Sequence, residues 1–259
     1  GYIEVGKEMH AVIVTNGLET DVPLCNALIN MYIKCGSLPE ALMVFDKMTL
    51  QNVISWNTLI SGLVDCGYGN EALGLFQQMQ LDGVFPDAAT FSSSLNACVS
   101  IGAIEMAQEI HNDLAKEGFE SERYIGCSLV HMYAKCGLFS EALDVFQNLP
   151  IKDIAIWTSL IAGYVEHGAG EEALKCFQKM VGDGAPCNAI TYVCILKACS
   201  SIGDSNKGQE IHNEIEKNGL IERDIVVGNA LLDMYAKCGS IPKACEVFEK
   251  LPLRNVVSW

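Results

Sequence analysis

The stretch Met132-Tyr-Ala-Lys-Cys-Gly137 returns as Met234-Tyr-Ala-Lys-Cys-Gly239 and, with one change, as Met31-Tyr-Ile-Lys-Cys-Gly36. The intervals are 101 and 102 residues. A chain that repeats itself at a fixed interval is an array of similar units, each too small to bury its own apolar face, so neighbours must stack. Function is then sought along a surface and not in one pocket.

Around these stretches the sequence divides into unequal sub-units at 22–52, 53–87 and 88–122, then 123–153, 154–188 and 189–224, then 225–255. A partial unit occupies 1–21, and another starts at 256–259. Each full unit reads as two helices. Leu38, Ala41, Leu42, Phe45 and Met48 follow the i, i+3, i+4, i+7 spacing of one apolar helix face. Ser37 and Glu40 have the spacing of a capping box, with Pro39 in the first turn, where its missing N–H costs little. Residues 27–34 supply the preceding helix, which Gly36 ends, as Gly137 and Gly239 do in their units, by accepting a left-handed backbone. The expectation is an all-α fold: helical hairpins stacked into a solenoid with one concave side.

Half of the 259 residues are apolar, enough for a continuous core. No apolar run approaches the roughly 18 residues a membrane-spanning helix needs. The chain shows no initiator Met, signal peptide or Arg/Ser-rich transit segment, and neither end reads as a polar capping unit. It reads as a piece of a longer array. The net charge of −15 speaks against any partner held through its phosphates, so an RNA reading must rest on contacts to bases. Among the twelve cysteines, Cys35, Cys136 and Cys238 share one repeat slot and Cys98 and Cys199 another. Recurrence beside apolar residues fits packed thiols in a reducing compartment.

Val53-Ile-Ser-Trp-Asn-Thr-Leu-Ile-Ser-Gly62 and Glu71-Ala-Leu-Gly-Leu-Phe-Gln-Gln-Met79 closely resemble a pentatricopeptide repeat. The Trp-x2-Leu-Gly-x2-Tyr pattern of tetratricopeptide repeats does not occur. Unit lengths of 31, 35 and 35–36 residues resemble the mixed class of the family, with short, standard and long motifs. Val226-Val-Gly-Asn-Ala-Leu-Leu-Asp-Met-Tyr235 resembles the short type, and Thr90-Phe-Ser-Ser-Ser-Leu-Asn-Ala-Cys98 with Gln108-Glu-Ile-His111 the long type. The resemblance covers essentially the whole chain and implies a right-handed superhelical solenoid that binds single-stranded RNA, one base per unit.

By that resemblance the fifth and last residues of a unit select its base, because Asn, Asp, Ser and Thr offer different donors and acceptors to a Watson–Crick edge. Asn26 with Asn52 resembles a cytosine pair, Asn57 with Asp87 a uracil pair, Thr158 with Asn188 an adenine pair, and Asn229 with Asn255 a cytosine pair. The pattern implied is 5′-C-U-x-x-A-x-C-3′. Ser92/Glu122 and Val193/Asp224 are long-type pairs with weak preference, and Cys127/Asp153 lacks an amide or hydroxyl at its selective position. Pro23, Ile54, Tyr124, Ala155 and Val226 stand where the family clamps a base between units. From the residues alone, Asn or Asp at these places is equally an N-cap or turn residue.

His10, His111 and His212 recur at intervals of 101 and favour packing. His212-Asn-Glu214 matches the His-x-Glu of zinc deaminases, but the following Pro-Cys-x-x-Cys is missing. Trp56, Trp157 and Trp259 share one slot and favour the core. No phosphate-cradling loop and no nucleophile–base constellation occurs, so neither catalysis, nor a metal, nor a cofactor is expected. Mixed-class arrays commonly address cytidine-to-uridine editing of transcripts in mitochondria or chloroplasts, so the resemblance implies one of those organelles. It also implies a small editing factor docked on long motifs, and no membrane partner. The alternative is a protein–protein scaffold, a tetratricopeptide-like solenoid, which the acidic balance mildly favours.

Overall fold

The computed structural model describes residues 2–119, 122–252, 254–256 and 258. Among them all regular structure is helical, in sixteen helices. The chain forms two compact units, Gly1–Met132 and Tyr133–Trp259. In the first, α1 (Tyr2–Thr15) precedes the pairs α2 (Val22–Lys34) with α3 (Leu38–Lys47), α4 (Val53–Asp65) with α5 (Gly69–Leu81), and α6 (Ala88–Ile101) with α7 (Ile104–Lys116). Helix α8 (Arg123–Lys135) contains the division. The second unit continues with α9 (Phe139–Asn148), then the pair α10 (Ile154–Glu166) and α11 (Gly170–Gly182). There follow α12 (Ala189–Ile202), α13 (Ser205–Lys217), the single turn α14 (Leu220–Arg223), α15 (Ile225–Lys237) and α16 (Ile241–Lys250).

Within the first unit α2 packs on α4 and α4 on α6, so the leading helices of successive pairs lie side by side. In the second, α10 packs on α12 and α12 on α15. Their shared faces are the core: Ile29, Leu59, Ile60, Leu63 and Leu95 in one, Leu160, Ile161, Ile195, Leu196 and Leu231 in the other. Trp56 and Trp157 are buried alike, each meeting a phenylalanine edge-on: Phe45 at 4.7 Å and Phe146 at 4.6 Å. Trp259 lies outside the described residues.

Six leading helices start alike. Asp21, Asn52, Asp87, Asp153 and Asn188 each turn the side-chain oxygen onto the N–H three residues on, and Asp224 onto the N–H two residues on. This satisfies an orphan donor of the first turn. Helix α2 ends as expected: Gly36 has φ +74°, its N–H reaches Ile33 O, and Ser37 N–H reaches Tyr32 O. The capping box expected at Ser37 does not form. Ser37 begins α3 with ψ near 65°, well short of the extended backbone of the capping residues, and its side chain makes no cap bond. Among the described residues no helix is long and apolar enough to cross a membrane.

Candidate nucleic-acid interface

Asn57, one turn into α4, meets Asp87, the residue that caps α6. Asn57 Nδ2 donates to Asp87 Oδ1 at 2.9 Å, and the Thr90 hydroxyl closes a ring, its one proton shared between Asn57 Oδ1 at 2.5 Å and Asp87 Oδ1 at 2.9 Å. The Thr90 N–H also reaches Asp87 Oδ1 at 2.9 Å, while the Asp87 N–H reaches Thr90 Oγ1 at 3.1 Å. An ionised carboxylate only accepts, so the amide atom facing Asp87 must be the nitrogen. Burial pushes the Asp87 carboxyl up, but bonds from the Thr90 N–H, the Asn57 amide, the Thr90 hydroxyl and the Ala89 N–H outweigh it. They hold the group below its ordinary 3.8. One Asn57 N–H and Asp87 Oδ2 are left over, on a half-exposed and an exposed residue.

The same ring recurs at the end of the second unit. Asn229 Nδ2 donates to Asn255 Oδ1 at 3.3 Å, and the Ser258 hydroxyl reaches Asn229 Oδ1 at 2.7 Å. Thr158 and Asn188 are linked through Thr191, whose hydroxyl lies 3.0 Å from that of Thr158 and donates to Asn188 Oδ1 at 2.9 Å. Asn26 and Asn52 form an open version. Ser55 donates to Asn52 Oδ1 at 3.1 Å, and Asn26 Oδ1 is buried without a partner.

The remaining positions are built differently. Ser92 is buried and bonds Ser128 at 2.7 Å. Val193 is half-buried, and Asp224 caps α15 through the Val226 N–H at 2.8 Å. Glu122 is exposed, Cys127 half-buried, and Asp153 caps α10. Pro23 and Ala155 are exposed, as are Ile54, Tyr124 and Val226 at 65%, 63% and 58%. Ile190, which the sequence reading passed over, shares their slot as second residue of its helix and is 62% exposed. Each of these residues holds the same place, second in its leading helix, with its apolar side chain open to solvent.

Sequence reasoning also missed the third residue of each leading helix. It is Ser55, Thr90 or Thr191 after the pairs Asn26/Asn52, Asn57/Asp87 and Thr158/Asn188, with Ser258 at the matching place after Asn229/Asn255, and Ile125, Ile156 or Val227 after the other three. Burial is not what differs, because all seven are buried. The alternation stands in the sequence, but Ser or Thr three residues after Asn or Asp reads first as helix capping.

The recurring histidines lie elsewhere. His10 Nδ1 is 2.8 Å from the Tyr32 hydroxyl and His212 Nδ1 2.9 Å from that of Tyr235, with identical ring geometry. Among the described residues no three His, Cys, Asp or Glu side chains gather closely enough to hold a metal ion.

Comparison with known proteins gives one consistent result. The PPR repeat family matches residues 51–100 and 152–201, and the PPR repeat matches 24–53, 127–154, 190–220 and 229–256. The chain is 39% identical over its whole length to the pentatricopeptide repeat-containing protein At2g33680 of Arabidopsis thaliana. It is 36% identical over 99% of its length to the chloroplastic At4g18520, and 38% over 98% to the mitochondrial At3g24000, of the same plant. It spans 35%, 42% and 40% of those three proteins. Among solved structures, the pentatricopeptide repeat protein PPR10 in complex with an 18-nt psaJ RNA element superposes with a TM-score of 0.76. That match has 21% identity and covers 96% of this chain and 37% of that one. Helical pairs, capped leading helices and these matches together assign the chain to the pentatricopeptide repeat family.

Proposed function

We propose that the chain is a sequence-specific single-stranded RNA-binding module that reads one base per unit. The observation that carries this reading is the set of joined pairs. Asn57 meets Asp87 at the start of α6, and Asn229 meets Asn255 in the same pairing of a fifth residue with a last residue. Asp87 and Asn255 differ in the chemistry of their second side-chain atom, a carboxylate oxygen in one and an amide nitrogen in the other. Uracil and cytosine differ in the same sense at N3, which carries a proton in uracil and a lone pair in cytosine. Asn26 with Asn52 then reads cytosine, Thr158 with Asn188 adenine, and Ile54, Tyr124, Ile190 and Val226 cover the faces of the bases.

The finer reading extends this to units of short, standard and long type at 22–52, 53–87, 88–122, 123–153, 154–188, 189–224 and 225–255. The target pattern is 5′-C-U-x-x-A-x-C-3′, addressed within an organelle for cytidine-to-uridine editing. Plastid and mitochondrial relatives support the compartment. With a net charge of −15, affinity must come from bases more than from phosphates. The same charge favours the competing reading, a scaffold for proteins.

A fluorescence titration of the chain with an oligonucleotide carrying that pattern tests the proposal. Replacing the uracil by adenine weakens binding by about tenfold, the equivalent of roughly 1.4 kcal/mol. Equal affinity for both oligonucleotides, or none for either, leaves the scaffold reading.

A further inference from the structure

We infer that the hydroxyl at the third position of each following unit is a positioning residue for base selection. Thr90 serves Asn57/Asp87, Thr191 serves Thr158/Asn188, and Ser258 serves Asn229/Asn255. The inference rests on the reading that these pairs face bases, and adds to each a residue three positions beyond its second member.

The geometry is specific. A single bond from Asn57 Nδ2 to Asp87 Oδ1 leaves the carboxamide free to swing about that contact. The Thr90 hydroxyl on Asn57 Oδ1, arriving from α6, supplies a second point and fixes the plane of the amide. Its remaining N–H is thereby aimed before any base arrives, and binding need not order it. Ser258 makes the same two-point fixation of Asn229, at 2.7 Å on Oδ1. At Thr158 the third residue sets polarity as well. With Thr191 donating to Asn188 Oδ1, the hydroxyl of the buried Thr158 must donate to Thr191 Oγ1, so its proton is committed and its direction fixed.

Packing does not call for these hydroxyls. The equivalent slots hold Ile125, Ile156 and Val227, all fully buried, after units whose fifth residue is Ser92, Cys127 or Val193. Ser92 takes a different partner, Ser128. A buried hydroxyl is costlier than a methyl unless bonded, and at Thr90, Thr191 and Ser258 the bond is made to the fifth residue of the preceding unit, whereas Ser55 bonds Asn52 instead.

The test compares Thr90→Val and Thr90→Ser in the whole chain. It uses four oligonucleotides of the proposed pattern that differ only at the nucleotide facing Asn57/Asp87, with circular dichroism reporting the fold. Thr90→Val reduces the preference for uracil about fivefold or more, the worth of one hydrogen bond. In a second set varied only at the nucleotide facing Asn229/Asn255 discrimination is unchanged, and Thr90→Ser restores the preference for uracil. A residue that only caps the helix lowers affinity for all four bases alike, so an unchanged ratio in Thr90→Val overturns the inference alone. Absence of any preference in the wild-type chain overturns the underlying reading and the inference with it. Ser258→Ala, next to the chain end, repeats the comparison at the other pair should Thr90→Val not fold. There too an unchanged cytosine preference overturns the inference.

Discussion

Asn57 and Asp87 lie thirty residues apart in sequence and are joined by one hydrogen bond of 2.9 Å, from the amide nitrogen of one to a carboxylate oxygen of the other. The bond uses Asp87 Oδ1, the same oxygen that caps α6, and leaves Oδ2 for another partner. Exchanging the pair for its counterpart, Asn57→Thr with Asp87→Asn, is expected to move preference at one nucleotide from uracil toward adenine by about tenfold. Neighbouring nucleotides keep their preferences. Binding titrations with single-base variants of the RNA decide it.

The same residue predicts an effect on stability without RNA. Asp87→Ala removes the cap of α6 and lowers stability by about 1 kcal/mol, whereas Asp87→Asn keeps an oxygen in place and changes it by a few tenths at most. Urea titrations of the two variants should separate by that margin. Equal destabilisation would mean that the carboxylate charge, and not the cap, holds the helix start.

Ile54 is the second residue of α4 and 65% exposed. Ile54→Ser is therefore expected to leave stability within about 0.5 kcal/mol. It weakens RNA binding several-fold, because a face for the base is lost. A variant that unfolds more easily but binds normally would place Ile54 among packing residues instead.

His212 gives the second unit a pH dependence. Burial pulls its imidazole below the ordinary 6.5. The Glu216 carboxylate pulls the other way from 3.5 Å without making a hydrogen bond, Lys250 and Lys243 reinforce burial, and Glu246 opposes it. The unfolded chain takes up a proton near pH 6.5 that the folded one refuses until lower pH. The contribution is thus complete above 6.5 and is lost as pH falls through the folded value. His212→Gln, which can still meet the Tyr235 hydroxyl, should flatten the fall in urea midpoint between pH 7 and pH 5. An unaltered slope would show that other groups carry it.

Gly163 in α10 faces Ala134 so closely that an added methyl would stand 2.6 Å from its Cβ and 2.8 Å from its carbonyl oxygen. Backbone cannot rotate out of the way. Gly163→Ala is expected to cost about 1–3 kcal/mol, as overpacking does. Gly182→Ala in α11, with open space around it, serves as the control in the same melt.

Much of this architecture was legible because its signals are local. Asn52, Asp87 and Asn188 mark helix starts through a side chain bonded only three residues away, and Gly36 marks an end through its own φ. The Ser37 cap misled because the rule reads residue type and spacing, while the bond depends on a ψ the sequence does not state. The approach of Gly163 to Ala134 and the bond from Thr90 to Asn57 join different helices, so neither appears in any short window. Ile190 is hidden from a short window too, because its exposure depends on what the neighbouring helices leave uncovered.

The dual use of Asp87, one oxygen on the helix and one held out, has an evolutionary corollary. Asp and Asn codons differ by a single purine transition, and both residues keep the oxygen that starts the helix. On the proposed reading of these pairs, a lineage can therefore readdress such a unit to a new transcript by one nucleotide change while the scaffold that carries it stays as sturdy as before.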